Sequence, residues 1–284
     1  MSYITTIRRI AVFVLLLGMG LPAFSQHLVV GTFNLRFDNP KDEGNRWAQR
    51  KKPAADLIRF HNFDVIGTQE GLKNQIDDLS AMLPEFAHYG IGRDDGKDAG
   101  EHSTIFYRKD RFNLLKKGDF WLSETPDKPG LGWDVVCCNR ICSWVCLEDR
   151  MNGKIFYFFN AHFDHQGLIA RAESARLVIR KIKEIAGDTP TFFTGDLNGG
   201  RKTEWYEILA TSSFLTDTYS QVKAPYVNAP SYNDWGKKLS GNEVIDHIFV
   251  TKGFTAQRWG VLTDTFHGKY ISDHFPVLVE ATYL

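Results

Sequence analysis

Eight polar residues stand at the ends of short apolar runs in this chain: Asn34, Glu70, His162, Asp196, Asn198, Asp246, Asp273 and His274. The stretch 191–198, Thr-Phe-Phe-Thr-Gly-Asp-Leu-Asn, shows the pattern most fully. A β-prone run meets Gly195 and then offers two side chains able to hold a metal or a water, Asp196 and Asn198. Strand residues two apart share a face, and a sharp exit at Gly195 would project both groups from the strand end instead of into the core. Gly, Asp and Asn also build ordinary Asx turns, so the weight of the signal lies in its repetition at other strand ends. In open α/β sheets ligands bind outside strand ends, and a fold that gathers these ends makes one pocket of carboxylates, carboxamides and imidazoles. Oxygen-dominated donors favour Mg²⁺ or Mn²⁺ over zinc, and a cation held by one or two carboxylates plus substrate oxygens points to phosphoester chemistry.

The elements that must position these groups follow from periodicity. Residues 27–36 are a β-branched run with Asn34 near its end, and residues 64–70 repeat the design with Glu70. Helical spacing of Ala54, Leu57 and Ile58 marks a helix within 47–60, which Pro53 would disturb unless the helix starts there. Residues 71–83 read as a second helix with Ile76, Leu79 and Leu83 inward. Residues 86–121 read as several strands with a flexible Asp/Gly/Lys loop at 93–100, and 122–136 as a long loop. Strands at 141–148 and 155–160 come next, and the second runs into His162, Asp164 and His165, costly groups to place beside a core without a purpose. Residues 170–186 form an amphipathic helix stopped by Gly187. A short helix at 204–210 precedes an irregular aromatic stretch, 218–239, whose Tyr226, Tyr232 and Trp235 suit a binding rim. Asp246 sits among the branched apolar residues of a strand at 244–250, where a buried acid needs a partner; His274, just before a last strand at 277–281, is the natural one.

Composition bounds the class. Residues 1–25 read as an export signal: Arg8 and Arg9, an apolar run from Ile10 to about Leu21, then small residues before Gln26. The apolar run falls short of the roughly 20 residues a spanning helix needs, so an exported protein, periplasmic or extracellular, is expected. Residues 26–284 then form one catalytic domain without a linker or repeat. The chain carries 34 basic and 34 acidic residues; removing Arg8 and Arg9 leaves 32 against 34, a net charge of −2. A long polyanion is therefore not an obvious partner. The cysteines are Cys137, Cys138, Cys142 and Cys146. Cys142 and Cys146 would lie about 13 Å apart on one strand, too far to pair, and an adjacent pair is strained. A pair between Cys137 or Cys138 and Cys142 would need a tight turn through Asn139-Arg140, and no CxxC or nearby His completes a zinc site, so buried free thiols in an apolar strand are the expectation.

Taken together, Asn34 in Thr-Phe-Asn, Gln69-Glu70, His162 with Asp164, Thr194-Gly195-Asp196-Leu197-Asn198, Ile245-Asp246-His247-Ile248-Phe249 and Ser272-Asp273-His274-Phe275-Pro276-Val277 resemble the endonuclease/exonuclease/phosphatase superfamily of DNase I-like metal-dependent phosphoesterases. The resemblance runs in order across essentially all of residues 26–284. It implies a four-layer α/β/β/α sandwich of two mixed sheets flanked by helices. It also implies that Glu70 is the main metal carboxylate with Asn34 and Asp273 close to the metal, that Asp196 orients or deprotonates the attacking water, and that Asn198 holds the phosphoryl oxygen. His274, its ring fixed by Asp246, is expected to contact the phosphoryl group, and His162, where some members carry tyrosine, to stabilise developing charge. In-line attack on phosphorus needs these parts: a positioned water, a cation, and donors at the equatorial oxygens. The expected function is a secreted Mg²⁺- or Mn²⁺-dependent hydrolase of a small phosphorylated compound or phospholipid head group, with no stable membrane insertion. An extracellular nuclease acting on nucleic acid shares the same site, and a non-catalytic binding module built on this scaffold is the reading from another class.

Overall fold

The computed structural model describes residues 27–284, so the expected export signal lies outside the described residues. The chain runs β1 (His27–Asn34), α1 (Trp47–Phe60), β2 (Val65–Gln69), α2 (Lys73–Met82), β3 (Phe86–Tyr89), β4 (Ile105–Arg108), β5 (Phe112–Trp121), β6 (Ile141–Asp149) and β7 (Ile155–His162). It continues through α3 (Leu168–Ala186), β8 (Thr191–Asp196), α4 (Glu204–Ala210), β9 (Thr216–Asp217), α5 (Thr218–Gln221), β10 (Asp246–Val250), β11 (Phe254–Val261), a small hairpin of β12 (Thr265–Phe266) and β13 (Lys269–Tyr270), and β14 (Val277–Tyr283). One six-stranded sheet has the order β11-β14-β1-β2-β4-β3 and the other β5-β6-β7-β8-β10-β9. The β1–β2 and β7–β8 pairs are parallel and the other neighbours antiparallel, so both sheets are mixed. Among the described residues no helix is long and apolar enough to cross a membrane.

Strand alternation sorts side chains into three apolar layers. Leu28 and Val30 of β1, Phe156 and Phe158 of β7, Phe192 of β8 and Ile248 of β10 meet between the sheets. The residues between them turn outward: Phe33 packs with Leu57, Ile58, Ile76 and Leu79 of α1 and α2, and Phe159, Phe193 and Phe249 pack with Val178 and Ile182 of α3 and Leu209 of α4. Each such fully buried side chain contributes about 1.5–3 kcal/mol, and together they fix the register on which the site depends. The result is the expected four-layer sandwich.

Several local expectations change. Helix α1 starts at Trp47 and carries Pro53 inside it; its first turns are anchored from outside by Arg50, whose side chain is held by backbone carbonyls of neighbouring loops. Gly195 is not an exit. It sits inside β8, which runs on to Asp196, and its missing side chain is required by close approach, since a Cβ would lie 2.1 Å from the Ala161 carbonyl oxygen. Strand β10 begins at Asp246 rather than at Val244. Cys142 and Cys146 are buried free thiols on β6, as expected, but Cys137 and Cys138 are paired with each other. They precede β6, where the backbone is not bound to send adjacent side chains to opposite faces.

Candidate active site

Between the sheets, apolar side chains give way to polar ones at one end of the sandwich. Along β1 the inward series is Val30, Thr32, Asn34; along β7 it is Phe158, Asn160, His162; along β8 it is Phe192, Thr194, Asp196. The parallel pairs β1–β2 and β7–β8 end here, and the antiparallel strands β10 and β14 begin here, so the cross-strand pairs include Asn34 with Gln69, His162 with Asp196, and Asp196 with Asp246. A buried layer lies beneath the opening: Gln69 Nε2 donates to Thr32 Oγ1 (2.9 Å) and Asn160 Oδ1 (2.7 Å), and Asn160 Nδ2 donates to the Thr68 carbonyl (2.8 Å). Gly67 makes room for this crossing, because a Cβ there would stand 2.4 Å from Asn160 Oδ1.

Above that layer is a cavity of about 440 Å³ whose walls include Glu70, His162, Asp196, Asn198, Asp273 and His274. Asn34 Nδ2 bridges Glu70 Oε1 and Asp196 Oδ2, each at 3.0 Å, and its Oδ1 accepts the Arg36 N–H. Asp196 Oδ1 accepts the Asn198 N–H at 2.9 Å, and Oδ2 lies 3.6 Å from His162 Nε2 and 3.7 Å from His274 Nε2. His274 Nδ1 is 2.9 Å from Asp246 Oδ2, and Asn198 Nδ2 is 3.1 Å from His162 Nε2. All eight predicted residues thus belong to one hydrogen-bonded and ion-paired neighbourhood. Arg36, Glu70 and Asn198 hold left-handed backbone conformations (φ of 54°, 63° and 49°) that cost non-glycine residues energy and recur at functional sites. Asn198 is therefore not on the strand face it was expected to share with Asp196; a tight turn delivers it.

The two imidazoles are held in different charge states. Burial works against a charge on His274, but Asp246 and Asp196 outweigh it and lift its pKa to about 10. Burial drives His162 well below the ordinary range, and Arg140, Arg93 and His274 push the same way. Burial, reinforced by Asp246, raises Asp196 to about 7. Burial, with Glu70 beside it and against the pull of His274, raises Asp273 to about 6.

Two features lie beyond the eight predicted residues, and the first was not legible in the sequence. The loop expected to be flexible at 93–100 is folded back on itself, with Arg93 N donating to the Glu101 carbonyl. It half-buries Glu101, whose carboxylate takes both arms of the Arg93 guanidinium (2.5 and 3.0 Å) and lies 3.8 Å from His162 Nδ1, a buried atom with no hydrogen-bond partner. Burial and the nearby Glu70 raise Glu101 to about 7. Arg140, from the loop before β6, donates to His165 Nδ1 (2.8 Å) and Asp164 (3.3 Å) and forms a wall with Cys138. Of the aromatic stretch expected to be a rim, only Tyr232 lines the cavity; Trp235 packs on Arg50 and Tyr226 pairs with Gly260.

The donor set fits a hard divalent cation. Glu70 and Asp273 face the cavity with oxygen atoms, their mutual repulsion contributes to the raised pKa of Asp273, and the Arg36 guanidinium, 3.7 Å from Asp273 and 4.0 Å from Glu70, offsets some of the charge. Asp196, Asp246 and His274 also converge, with possible ligand atoms within 4.8 Å of one another. That triad is an ion-paired chain: His274 Nδ1 lies 2.9 Å from Asp246 Oδ2 and Nε2 lies 3.7 Å from Asp196 Oδ2, so both ring nitrogens already face a carboxylate.

A two-sheet sandwich with carboxylates, carboxamides and oppositely tuned imidazoles at one end is the design of a phosphoester hydrolase. Residues 31–274 match the model of the endonuclease/exonuclease/phosphatase family, and the chain belongs to that family. It is similar to the mannosyl-6-phosphatase of Bacteroides thetaiotaomicron VPI-5482, with 43% identity and a TM-score of 0.87 over 90% of this chain and 99% of that one. It is also similar to an endonuclease/exonuclease/phosphatase family protein of Bacteroides thetaiotaomicron (42% identity, TM-score 0.88, 92% and 99% covered). A third similar structure, the endonuclease/exonuclease/phosphatase of Bacteroides vulgatus, has 40% identity and a TM-score of 0.87, covering 91% and 99%.

Proposed function

We propose that this protein is an exported hydrolase of small phosphorylated compounds that depends on Mg²⁺ or Mn²⁺, with a sugar phosphate the first substrate to try. The observation that carries the reading is the convergence on Asp196, whose carboxylate meets Asn34, Asn198, His162 and His274 in the wall of a cavity. The chemistry of the substrate is suggested by the mannosyl-6-phosphatase at 43% identity, and export by the signal-like residues 1–25.

In this reading Glu70 and Asp273 hold the cation, with Asn34 fixing Glu70 against Asp196. The bound cation supplies charge neutralisation at the phosphoryl oxygens. Asp196 orients the attacking water and accepts its proton, a task that suits a carboxyl poised at about 7. His274, kept as imidazolium by Asp246, clamps a phosphoryl oxygen electrostatically, and Asn198 donates to another. His162 is neutral, so its part is a directed hydrogen bond, with Glu101 and Arg93 behind it, instead of a positive charge.

The test is a panel of sugar phosphates, other phosphomonoesters, phosphodiesters and plasmid DNA with Mg²⁺ or Mn²⁺, run beside Asp196→Ala. We expect turnover of a phosphorylated small molecule and a loss on the order of 10³-fold or more in the variant, the scale of removing a water-orienting base together with a transition-state contact. Absence of any phosphoester cleavage, or a variant as active as the parent, overturns the proposal, and catalytic digestion of DNA reassigns the substrate to nucleic acid. Sequencing the N-terminus of the protein recovered outside the cytoplasm tests the export claim.

A further inference from the structure

Arg50, on the second turn of α1, is 3% exposed, and its hydrogen bonds all go to backbone carbonyl oxygens. Nη1 donates to Leu35 O (2.6 Å) and Ile271 O (3.1 Å), Nη2 to Arg36 O (3.0 Å) and Nε to Asn45 O (2.7 Å). Its guanidinium also lies between two indole rings, Trp47 at 5.3 Å and Trp235 at 5.2 Å. A buried charge without a carboxylate partner is costly, and burial pulls the Arg50 pKa down to about 10. The carbonyls it joins belong to the segments on either side of the carboxylate cluster. Leu35 and Arg36 follow Asn34 and precede Phe37, whose N–H holds Glu70 Oε2 at 3.1 Å. Ile271 is two residues before Asp273.

Other ties complete the frame. Ser272 Oγ donates to Asn34 O (2.7 Å), Gln75 of α2 donates to Arg36 O (3.0 Å) and accepts from Asp38 N (2.8 Å), and Asn233 N donates to Asp273 O (2.7 Å). Beside the direct tie from Ser272 to Asn34, the single planar fork of Arg50 reaches both the segment after Asn34 and the segment before Asp273. We propose that Arg50 is a positioning residue that sets the separation of Glu70 from Asp273, so that the affinity of the site for a divalent cation depends on a helix residue that never touches it. The inference rests on the cation reading above. It explains why Trp235, from a loop that borders the cavity, turns away from it to stack on α1.

Lysine at this position keeps the charge but cannot fork, so Arg50→Lys separates geometry from electrostatics. Mn²⁺ binding is measured by electron paramagnetic resonance on the full protein, with kcat, KM and the unfolding midpoint followed in parallel. We expect Mn²⁺ affinity to fall at least tenfold and kcat at subsaturating metal to fall with it, while KM for the phosphoester at saturating metal changes less than threefold. A folded R50K protein that binds Mn²⁺ within twofold of the parent overturns the proposal, whatever its loss of stability. If near-ultraviolet circular dichroism shows that R50K does not fold, Trp235→Leu decides instead, since it removes one stacking face and none of the hydrogen bonds. A severalfold loss of Mn²⁺ affinity then supports the assignment and an unchanged affinity rejects it. A parent protein that binds no Mn²⁺ refutes the cation reading itself, a result distinct from either variant outcome.

Discussion

The Asp246 carboxylate is hydrogen-bonded to His274, and its charge sets two pKa values in the same direction. It lifts His274 to about 10 and contributes, after burial, to lifting Asp196 to about 7. With Asp196 needed as carboxylate and His274 as imidazolium, activity should rise through about 7 and fall through about 10, giving a bell-shaped profile. Asp246→Asn removes both influences, so each limb should move to lower pH and the maximal rate should drop on the order of 10²-fold. A bound cation would lower the acid limb in both proteins alike, which leaves the difference between them interpretable. Profiles of kcat/KM against pH for the two proteins are the check; an alkaline limb that stays in place would show that His274 is not the group titrating there.

At the scale of elements, the site is the polar end of strands whose other inward positions are apolar. That much is written locally, because Asn34, Asp196 and Asp246 each adjoin a recognisable strand and alternation sends them between the sheets. What could not be read depends on contacts distant in sequence: Glu101 and Arg93 arrive on a loop that looks merely polar, and Pro53 lies inside α1, whose first turns Arg50 fastens to other segments. The layer beneath the site is a further consequence of register, since Asn160 serves β2, β8 and the Thr104 carbonyl at once (Gln69 2.7 Å, Thr194 3.2 Å, Thr104 3.2 Å). Asn160→Ala leaves several buried groups short of a partner and opens a small void, so we expect about 2–4 kcal/mol of destabilisation. Urea unfolding should show a lower midpoint with an unchanged slope, and a loss under about 0.5 kcal/mol would mean that the layer is not cooperative.

At the scale of the whole molecule, the site opposes the fold that carries it. Asp273, Glu101 and Asp196 have pKa values raised to about 6, 7 and 7 chiefly by burial, with neighbouring carboxylates adding to it. Between about pH 4, where unfolded carboxyls titrate, and pH 7, these three groups bind more protons in the folded protein than in the unfolded chain, so their contribution to stability falls as pH rises across that window. Above it the three carboxylates are ionised and repel Glu70 and one another. A divalent cation relieves that repulsion, and a ligand at 100 times its Kd stabilises a fold by about 2.7 kcal/mol, or roughly 5–10 °C in Tm for a domain of this size. At pH 5.5 protons occupy the same carboxylates and compete, so the gain from the cation should shrink to a small fraction of its value at pH 8. Thermal unfolding with chelator or with Mg²⁺ or Mn²⁺ at both pH values makes the comparison, and Glu70→Gln should abolish most of the cation-dependent gain at pH 8. Equal gains at the two pH values would place the cation away from these carboxylates, and no gain at either would remove it from the site altogether.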